Sequence, residues 1–316
     1  MNVKDSSRGV GVKCLVATLC AGAILPVSLV QATEGGGSGY PVGVNTVLSG
    51  KMPPPGLTTF LYLSDYTAGE TKDSSGHDKS NIHNFDLEVH AMSVRMDYVY
   101  SDYSLFGAKI ESRFALPVVD GKVSFDVDTP AGRVHKTDRQ SGVGDLTLIP
   151  VILGWSSPRF HQMVGIDIIA PIGSYDKDRL FNPGRNVWSV GPWYSFTAYP
   201  FENLEVSSKL VYLVNQKNNA TKYRSGDEFN ADYGIGYNIT KKFQVGVNGY
   251  IYKQVGDDEQ FGETFGDGNK GQVVAIGPSM KYQTPEWGFV MKWQHETQVE
   301  NKSKGDRFWL QTVFRF

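Results

Sequence analysis

The chain ends in the sequence FWLQTVFRF, residues 308–316. Successive side chains of an extended strand point to opposite faces, so Phe308, Leu310, Phe314 and Phe316 share one face of such a strand. This face is strongly aromatic, whereas Gln and Arg occur on the other one. The alternation therefore predicts a terminal β-strand with one apolar face.

The same two-residue period recurs along the chain. In the stretch Phe229–Ile239, every second residue is apolar and the intervening positions hold Asn, Asp and Gly. After residue 30, no run approaches the roughly 20 apolar residues that a transmembrane helix needs. The chain is therefore expected to consist almost entirely of strands and turns. Further stretches with this pattern lie at residues 92–100, 106–116, 188–196, 204–214, 243–251 and 287–293.

The connections between these strands alternate between long and short. Bacterial outer-membrane barrels have short periplasmic turns and longer external loops, so this alternation predicts an even strand number with both termini in the periplasm. The expected fold is an all-β, transmembrane, antiparallel up-and-down β-barrel of about 12 strands, formed by residues 57–316. Strands are expected near residues 57–66, 85–100, 105–118, 143–156, 160–173, 186–199, 203–215, 223–238, 242–255, 270–283, 287–298 and 307–316, with long loops around His77, Val127, Asp178, Asn218, Gly262 and Lys302.

The aromatic end of the chain also suggests how the barrel is assembled. The residues Phe308, Leu310, Phe314 and Phe316 resemble the β-signal by which the barrel assembly machinery of the outer membrane recognises its clients. We therefore treat these four residues as a candidate assembly signal and the machinery as an expected partner.

Residues 1–32 have the parts of a cleavable export signal. Basic residues up to Lys13 give a positive start, residues 14–30 form an apolar core, and Ala32 offers a small residue for cleavage. Both cysteines, Cys14 and Cys20, lie in this part. We expect a signal peptide that is removed on export, and a bacterial outer-membrane location without a disulfide. A retained membrane anchor is the alternative.

Residues 33–56 form a separate segment that is rich in Gly and Pro. The run Pro53-Pro54-Pro55-Gly56 cannot belong to a central strand, because proline lacks the backbone N–H that the ladder needs. One interpretation is a flexible periplasmic leader. The other is a plug folded into the lumen, where Val42, Val44, Val47 and Leu48 would find apolar surface.

Polar side chains opposite the apolar faces are expected to point into the barrel. They carry both signs, so they predict either a hydrated polar pathway or charge pairs that hold the wall together. Hydrophobic solutes would have a further route, sideways through the wall at a break in the ladder. The candidate lumen-lining residues are Arg95, Asp97, Lys109, Glu111, Arg113, Asp167, Glu205, Lys209, Asp232, Lys292 and Glu296, and the candidate positions for a break are Pro150, Pro171, Pro192 and Pro278.

Several short motifs carry a family resemblance. In chain order they are Pro53-Pro54-Pro55-Gly56, Gly142-Val143-Gly144-Asp145-Leu146 with Pro150 and Trp155, Ala170-Pro171-Ile172-Gly173-Ser174-Tyr175-Asp176, Asn186 with Trp188, and Gly226, Phe229 and Asp232. This order resembles a family of outer-membrane proteins associated with the meta-cleavage pathway of phenol degradation. Ile172 stands where Thr is expected. The resemblance implies an outer-membrane channel that admits aromatic or other hydrophobic compounds.

The leading functional hypothesis is therefore passive uptake of such compounds, and a structural or adhesive barrel that acts through its loops is the alternative. An outer-membrane hydrolase is less well supported, since His77, Ser80 and Asn81, or His83, Asp86 and His90, form no recognised motif.

No enzyme activity is expected, and no spaced Cys/His set or phosphate-binding glycine loop suggests a metal or other cofactor. The net charge of −2 without a basic stripe argues against nucleic acid as a partner. Outer-membrane lipid, lipopolysaccharide and small hydrophobic solutes are the other expected partners.

Overall fold

The structure of the protein, a computed structural model, describes residues 34–315, so the expected signal peptide and Phe316 lie outside the described residues. A short 3-10 turn, Glu34–Gly36, precedes the strands. Across the described part, no helix is long and apolar enough to cross a membrane. The strands are β1 (Gly56–Thr71), β2 (Ile82–Leu105), β3 (Ala108–Thr129), β4 (Gly132–Val143), β5 (Leu146–Ser156), β6 (Phe160–Ala170), β7 (Ser189–Phe201), β8 (Leu204–Asn215), β9 (Tyr223–Arg224), β10 (Glu228–Asn238), β11 (Phe243–Gln254), β12 (Glu259–Gln260), β13 (Glu263–Thr264), β14 (Gln272–Gln283), β15 (Trp287–Glu300) and β16 (Ser303–Arg315).

The long strands close into one antiparallel barrel. β1 pairs with β2 on one side and with the last strand, β16, on the other, so the wall has no terminal strand. β4 and β5 follow one another along the same neighbour, β3, and together fill one place in the wall. The wall therefore has twelve positions, which confirms the prediction of a twelve-stranded antiparallel barrel. The short strands β9, β12 and β13 form a separate small sheet in the longer loops.

The predicted long loop around Val127 is wrong. Residues 118–129 pair in regular register with residues 132–143, so this region is a hairpin that extends the wall beyond its neighbours. The many charged residues that suggest a solvated loop are paired across the two strands, as in the ion pair of 2.8 Å between Arg139 and Asp120. Such cross-strand pairs stabilise a ladder.

The predicted loop around Lys302 is shorter than expected, because β15 runs to Glu300 and β16 begins at Ser303. The two strands pair with each other only as far as His295 and Asp306, and beyond these residues they pair with β14 and β1. Asn301, between the strands, has a φ of 52°, which Asn tolerates better than most residues.

The two faces of the wall differ as the sequence alternation predicts. On the outside, the register partners Ile235 and Val247 are 54% and 49% exposed. On the inside of the same strands, Asn230, Asp232 and Asn248 are fully buried. A barrel with apolar side chains outward and polar ones inward is the arrangement that lipid requires.

Aromatic side chains cluster on the outer surface at the end with short turns. Trp287 lies with its ring centroid 5.6 Å from that of Tyr282, and Phe289 packs 6.0 Å from the same tyrosine. Aromatic rings with a polar atom favour the membrane–water boundary. These rings therefore mark one edge of the lipid-facing band.

We predict that Val247→Lys destabilises the folded barrel by about 2–4 kcal/mol, because a charged side chain would face the middle of the lipid-facing band. Urea unfolding in lipid vesicles measures this, and heat-modifiable migration on gels reports the folded fraction. Phe261→Lys is the matched control, since Phe261 is 78% exposed in a loop. Equal stability of the two variants would contradict the assignment of the lipid-facing surface.

Candidate functional site in the barrel lumen

Residues 34–55 run through the inside of the barrel. The segment starts beside the longer loops, where Lys302 Nζ donates a hydrogen bond of 2.6 Å to Gly36 O. It ends near the short turns, where Gly50 N donates to Thr197 Oγ1 of the inner wall at 3.0 Å. The lumen is thus occupied by the chain that directly precedes β1.

Asp232 on β10 is the central contact of this segment. Its carboxylate accepts hydrogen bonds from Tyr40 Oη at 2.8 Å, Gly43 N at 2.7 Å and Asn45 N at 2.8 Å. Opposite it, Lys292 Nζ donates to Gly43 O and Val44 O, both at 2.7 Å. A negative and a positive side chain therefore hold the N–H and the C=O groups of the same stretch of backbone. Hydrogen bonds to charged groups contribute about 1.5–3 kcal/mol each.

Apolar packing adds to these polar contacts. Tyr40 and Val42 are buried against wall residues such as Ile149 and Trp193, and Met52 packs on the edge of the same cluster. The expected burial of Val42 is therefore observed.

The charged residues of the inner wall form local pairs. Asp97 lies between two guanidinium groups, with Arg95 Nε at 2.8 Å and Arg113 Nε at 3.0 Å from its Oδ1. Arg113 Nη2 also contacts Glu111 Oε1 at 2.6 Å. These contacts favour charge pairing over an unpaired transverse field. Further pairs are Lys209 with Asp167 at 3.3 Å and Lys281 with Glu205 at 2.8 Å.

Two of the predicted lumen-lining residues have other surroundings. Glu296 accepts hydrogen bonds from Tyr66 Oη at 2.9 Å and Gly305 N at 2.8 Å, and from Tyr250 Oη. Lys109 lies at the short-turn end of β3 and is exposed.

The wall is interrupted on the side of the longer loops. The interruption begins just beyond the pair formed by Leu146 of β5 and Ala170 of β6, where β6 ends. Beyond this point β4 has no strand on the edge opposite β3, and the loop of residues 171–188 takes its place. We call the contact between this loop and the β4–β5 junction the seal. Its direct hydrogen bond to the strand runs from Ser174 N to Val143 O at 2.8 Å.

Asp145 is the centre of the seal. Its Oδ1 accepts a hydrogen bond from Gly173 N at 3.0 Å, and its Oδ2 accepts one from Arg185 N at 2.8 Å. Glycine is required here, because a Cβ atom on Gly173 would lie 2.6 Å from Gly184 Cα. The seal thus brings together two motifs of the sequence, residues 142–146 and 170–176. Their glycines were the available signal, but the role of Asp145 was not predicted.

Of the four candidate prolines, two lie at irregular positions of the wall near this interruption and two lie in regularly paired strands. Pro171 directly follows β6 at the start of the sealing loop, and Pro150 lies in an irregular part of the β5–β6 pairing. Pro192 and Pro278 pair with Ile166 and Val247 in unshifted register.

A cavity of about 760 Å³ lies between the segment 34–55 and the inner wall, and its lining includes residues of β1–β3, β5, β6, β8, β11 and β14–β16. This volume is within the range of about 300–1,000 Å³ that small-molecule sites have. Towards the longer loops its wall is apolar, with Phe85, Leu87 and Val89 of β2 beside Phe181 of the sealing loop. Asp145 also lines the cavity, so the cavity reaches the seal.

The loops above the cavity contain a polar network around Glu34. Its carboxylate accepts hydrogen bonds from Tyr175 Oη at 3.2 Å and Asn218 Nδ2 at 2.9 Å. Burial, with the neighbouring Glu34 carboxylate, raises the pKa of Tyr175 to about 12, so its hydroxyl remains a donor at neutral pH. Burial also raises the pKa of Asp258, which accepts hydrogen bonds from Gly226 N and Gln254 Nε2.

The histidines considered for catalysis are paired elsewhere. His83 contacts Asp128 at 2.8 Å, His90 contacts Asp65 at 2.6 Å, and Asp86 pairs with Lys122. Within residues 34–315, no group of three or more His, Cys, Asp or Glu residues could hold a metal ion.

A closed twelve-stranded barrel with an apolar outside and an occupied lumen is the architecture of bacterial outer-membrane channels. The crystal structure of the COG4313 outer membrane channel from Pseudomonas putida F1 aligns with 84% of this chain and 98% of that one, with a TM-score of 0.70 and 21% identity. A Pseudomonas aeruginosa FadL homologue is less similar, with a TM-score of 0.38 and 9% identity over 91% of this chain and 97% of that one.

The family described as "Putative MetA-pathway of phenol degradation" matches residues 63–312, and the chain belongs to this family. The family resemblance of the sequence motifs is therefore confirmed. No curated protein sequence matches the chain.

We predict that Asp232→Ala loosens the segment 34–55, because its carboxylate holds three groups of that segment. The expected result is a several-fold rise in single-channel ion conductance in planar bilayers. Asp306→Ala is the control, since it also removes one carboxylate, but from an exposed pair with His295. Unchanged conductance of the Asp232 variant would show that this contact does not keep the lumen closed.

Proposed function

We propose that this protein is a passive outer-membrane channel for small hydrophobic or aromatic compounds. The observation that carries the proposal is the apolar cavity that ends at a seal made of loop rather than strand. A solute would enter from the side of the longer loops, occupy the cavity and leave sideways into the membrane. The protein would move solutes without converting them.

In this proposal the segment 34–55 is a plug that blocks the straight route. A solute going straight through would have to displace buried contacts such as those of Asp232 and Lys292, together with the packed Tyr40. Each buried polar group left without a partner costs about 1–3 kcal/mol, so this route is closed to passive traffic.

The seal presents a smaller barrier. A regular ladder at this place would have a strand beside β4, whereas the loop has one backbone hydrogen bond to the strand, Ser174 N on Val143 O. Its other hydrogen bonds here go to side chains, two to Asp145 and two to Asp138 of β4. Apolar side chains on the outside near the seal, Ile172 and Trp188, are 57% and 48% exposed. A hydrophobic solute that passes the seal would therefore meet lipid rather than water.

The comparisons support the same proposal. The Pseudomonas putida protein is described as an outer membrane channel, and the family description refers to phenol degradation. The barrel assembly machinery, acting on Phe308, Leu310, Phe314 and Phe316, and lipopolysaccharide around the barrel remain proposed partners. Export by a cleaved signal peptide is part of the proposal as well.

A disulfide across the seal tests the sideways route. In Gly142→Cys/Ser174→Cys the two Cβ atoms would start 2.8 Å apart, so a small shift brings them to the roughly 3.8 Å that a disulfide needs. We expect the oxidised variant to slow uptake of the aromatic probe N-phenyl-1-naphthylamine by intact cells several-fold. A reductant should restore the rate.

The control for this experiment is Ser124→Cys/Thr137→Cys. These two residues are register partners on the adjacent strands β3 and β4, so the cross-link joins strands that are already paired. Oxidation should leave its probe uptake unchanged. If the locked seal carried the probe as fast as the control, the sideways route would be abandoned.

A further inference from the structure

The inward-facing side chains of β2 form a gradient along the cavity. In chain order they are Phe85, Leu87, Val89, Ala91, Ser93 and Arg95, and all of them line the cavity. The wall thus changes from large apolar side chains near the longer loops to a guanidinium group at the deep end. With about 3.4 Å per residue, the step from Leu87 to Arg95 spans roughly 27 Å along the strand.

The neighbouring strand β3 carries the same gradient in antiparallel direction. Val123 and Val119 line the apolar part of the cavity, Ala115 follows, and Arg113 lies at the deep end. Arg95 and Arg113 are brought together by Asp97, whose carboxylate contacts both. Two strands therefore direct an apolar surface towards one pair of arginines.

The charges at this deep end are arranged so that the cations face the cavity. Arg95 and Arg113 line it, whereas their partners Asp97 and Glu111 are fully buried behind them and do not. Over the whole cavity, lysines and arginines outnumber aspartates and glutamates among the lining residues. A ligand at the deep end would therefore meet guanidinium groups rather than their carboxylate partners.

A neutral donor completes the arrangement. Trp309 on β16 lines the cavity and is 5% exposed, and among the described residues its Nε1–H has no hydrogen-bond partner. Its ring lies edge-on to that of Tyr62 at 6.5 Å, and the hydroxyl of Tyr62 accepts a hydrogen bond of 2.9 Å from Arg95 Nη1. A buried donor without a partner is costly, and an acceptor placed here would remove that cost.

We propose that the deep end of the cavity is a subsite for the carboxylate of an amphiphile, with Arg95, Arg113 and Trp309 Nε1 as its donors. The apolar body of the ligand, an aromatic ring on a short alkyl chain, lies against Ala91, Pro117 and Val119, which line the cavity next to the arginines. The inference rests on the proposed function in taking this cavity as the place of the solute, and it narrows the solute class from hydrophobic compounds to hydrophobic carboxylates.

The test compares 4-phenylbutanoate with its neutral analogue 4-phenylbutanamide. Both compounds displace N-phenyl-1-naphthylamine from the purified full chain in detergent, and the fluorescence decrease gives their affinities. We expect the carboxylate to bind at least about tenfold more tightly than the amide, since hydrogen bonds to charged groups are the stronger ones. Equal affinities would overturn the proposal.

Two single variants test whether Trp309 Nε1 contributes to binding of the carboxylate. Trp309→Phe keeps the ring and removes the donor, so it should weaken binding of the carboxylate several-fold and of the amide less, because the amide oxygen is the weaker acceptor. Trp193→Phe is the matched control, because Trp193 Nε1 is also buried without a partner among the described residues but does not line this cavity. Equal losses in both variants, or none in either, would contradict the subsite.

A third variant preserves charge balance. Arg95→Gln/Asp97→Asn removes one cation together with its buried partner, and heat-modifiable migration reports whether it folds. We expect the preference for the carboxylate over the amide to fall several-fold, with Arg113 as the remaining cationic donor, and an unchanged preference would exclude Arg95.

Measurements of ligand binding and of probe uptake test the carboxylate subsite and the channel function separately. If the carboxylate preference is found but cells take up no probe, the subsite stands and the channel function fails. If uptake is found without the preference, the channel function stands and the subsite fails.

Discussion

In lipid, the backbone of a membrane-spanning wall must find every hydrogen-bond partner within the protein. The pairing of β1 with β16 meets this constraint for most of the barrel, because a closed sheet has no free edge. Beside β4, strand pairing does not meet this constraint, because β6, the next strand in the wall, ends at Ala170. There the carboxylate of Asp145 and the sealing loop supply partners in place of a strand. At this place a loop therefore replaces a strand in the wall because β6 ends at Ala170.

The same requirement governs the interior. A narrow barrel that encloses charged side chains must pair them, and the pairs Arg95–Asp97 and Lys209–Asp167 do so within the wall. Asp232 and Lys292 instead pair with the backbone of the segment inside. That segment is glycine-rich for a physical reason, since a Cβ atom on Gly50 would lie 2.4 Å from the backbone of Phe196. The inner wall therefore contacts the main chain of the segment 34–55 directly.

Much of the barrel could be predicted because a two-residue period is a local property. Apolar residues of Phe229–Ile239 lie on the outside as expected, and the strand number is correct. The β3–β4 hairpin was missed, since its charged residues resemble a loop until their cross-strand partners are known. Lys209 and Asp167 belong to strands that are separated by β7, so their pairing depends on the curvature of the closed wall. Asp145 was missed for the same reason, because its partners come from a distant loop.

The segment 34–55 lies inside a wall whose first and last strands are joined along their whole length. It directly precedes β1, which is one side of that junction. Withdrawal of the segment from the closed barrel would break the anchors at Asp232, Glu205 and Thr197 one after another. Because its last residues continue covalently into β1, the segment would remain attached to the wall even after these anchors are lost.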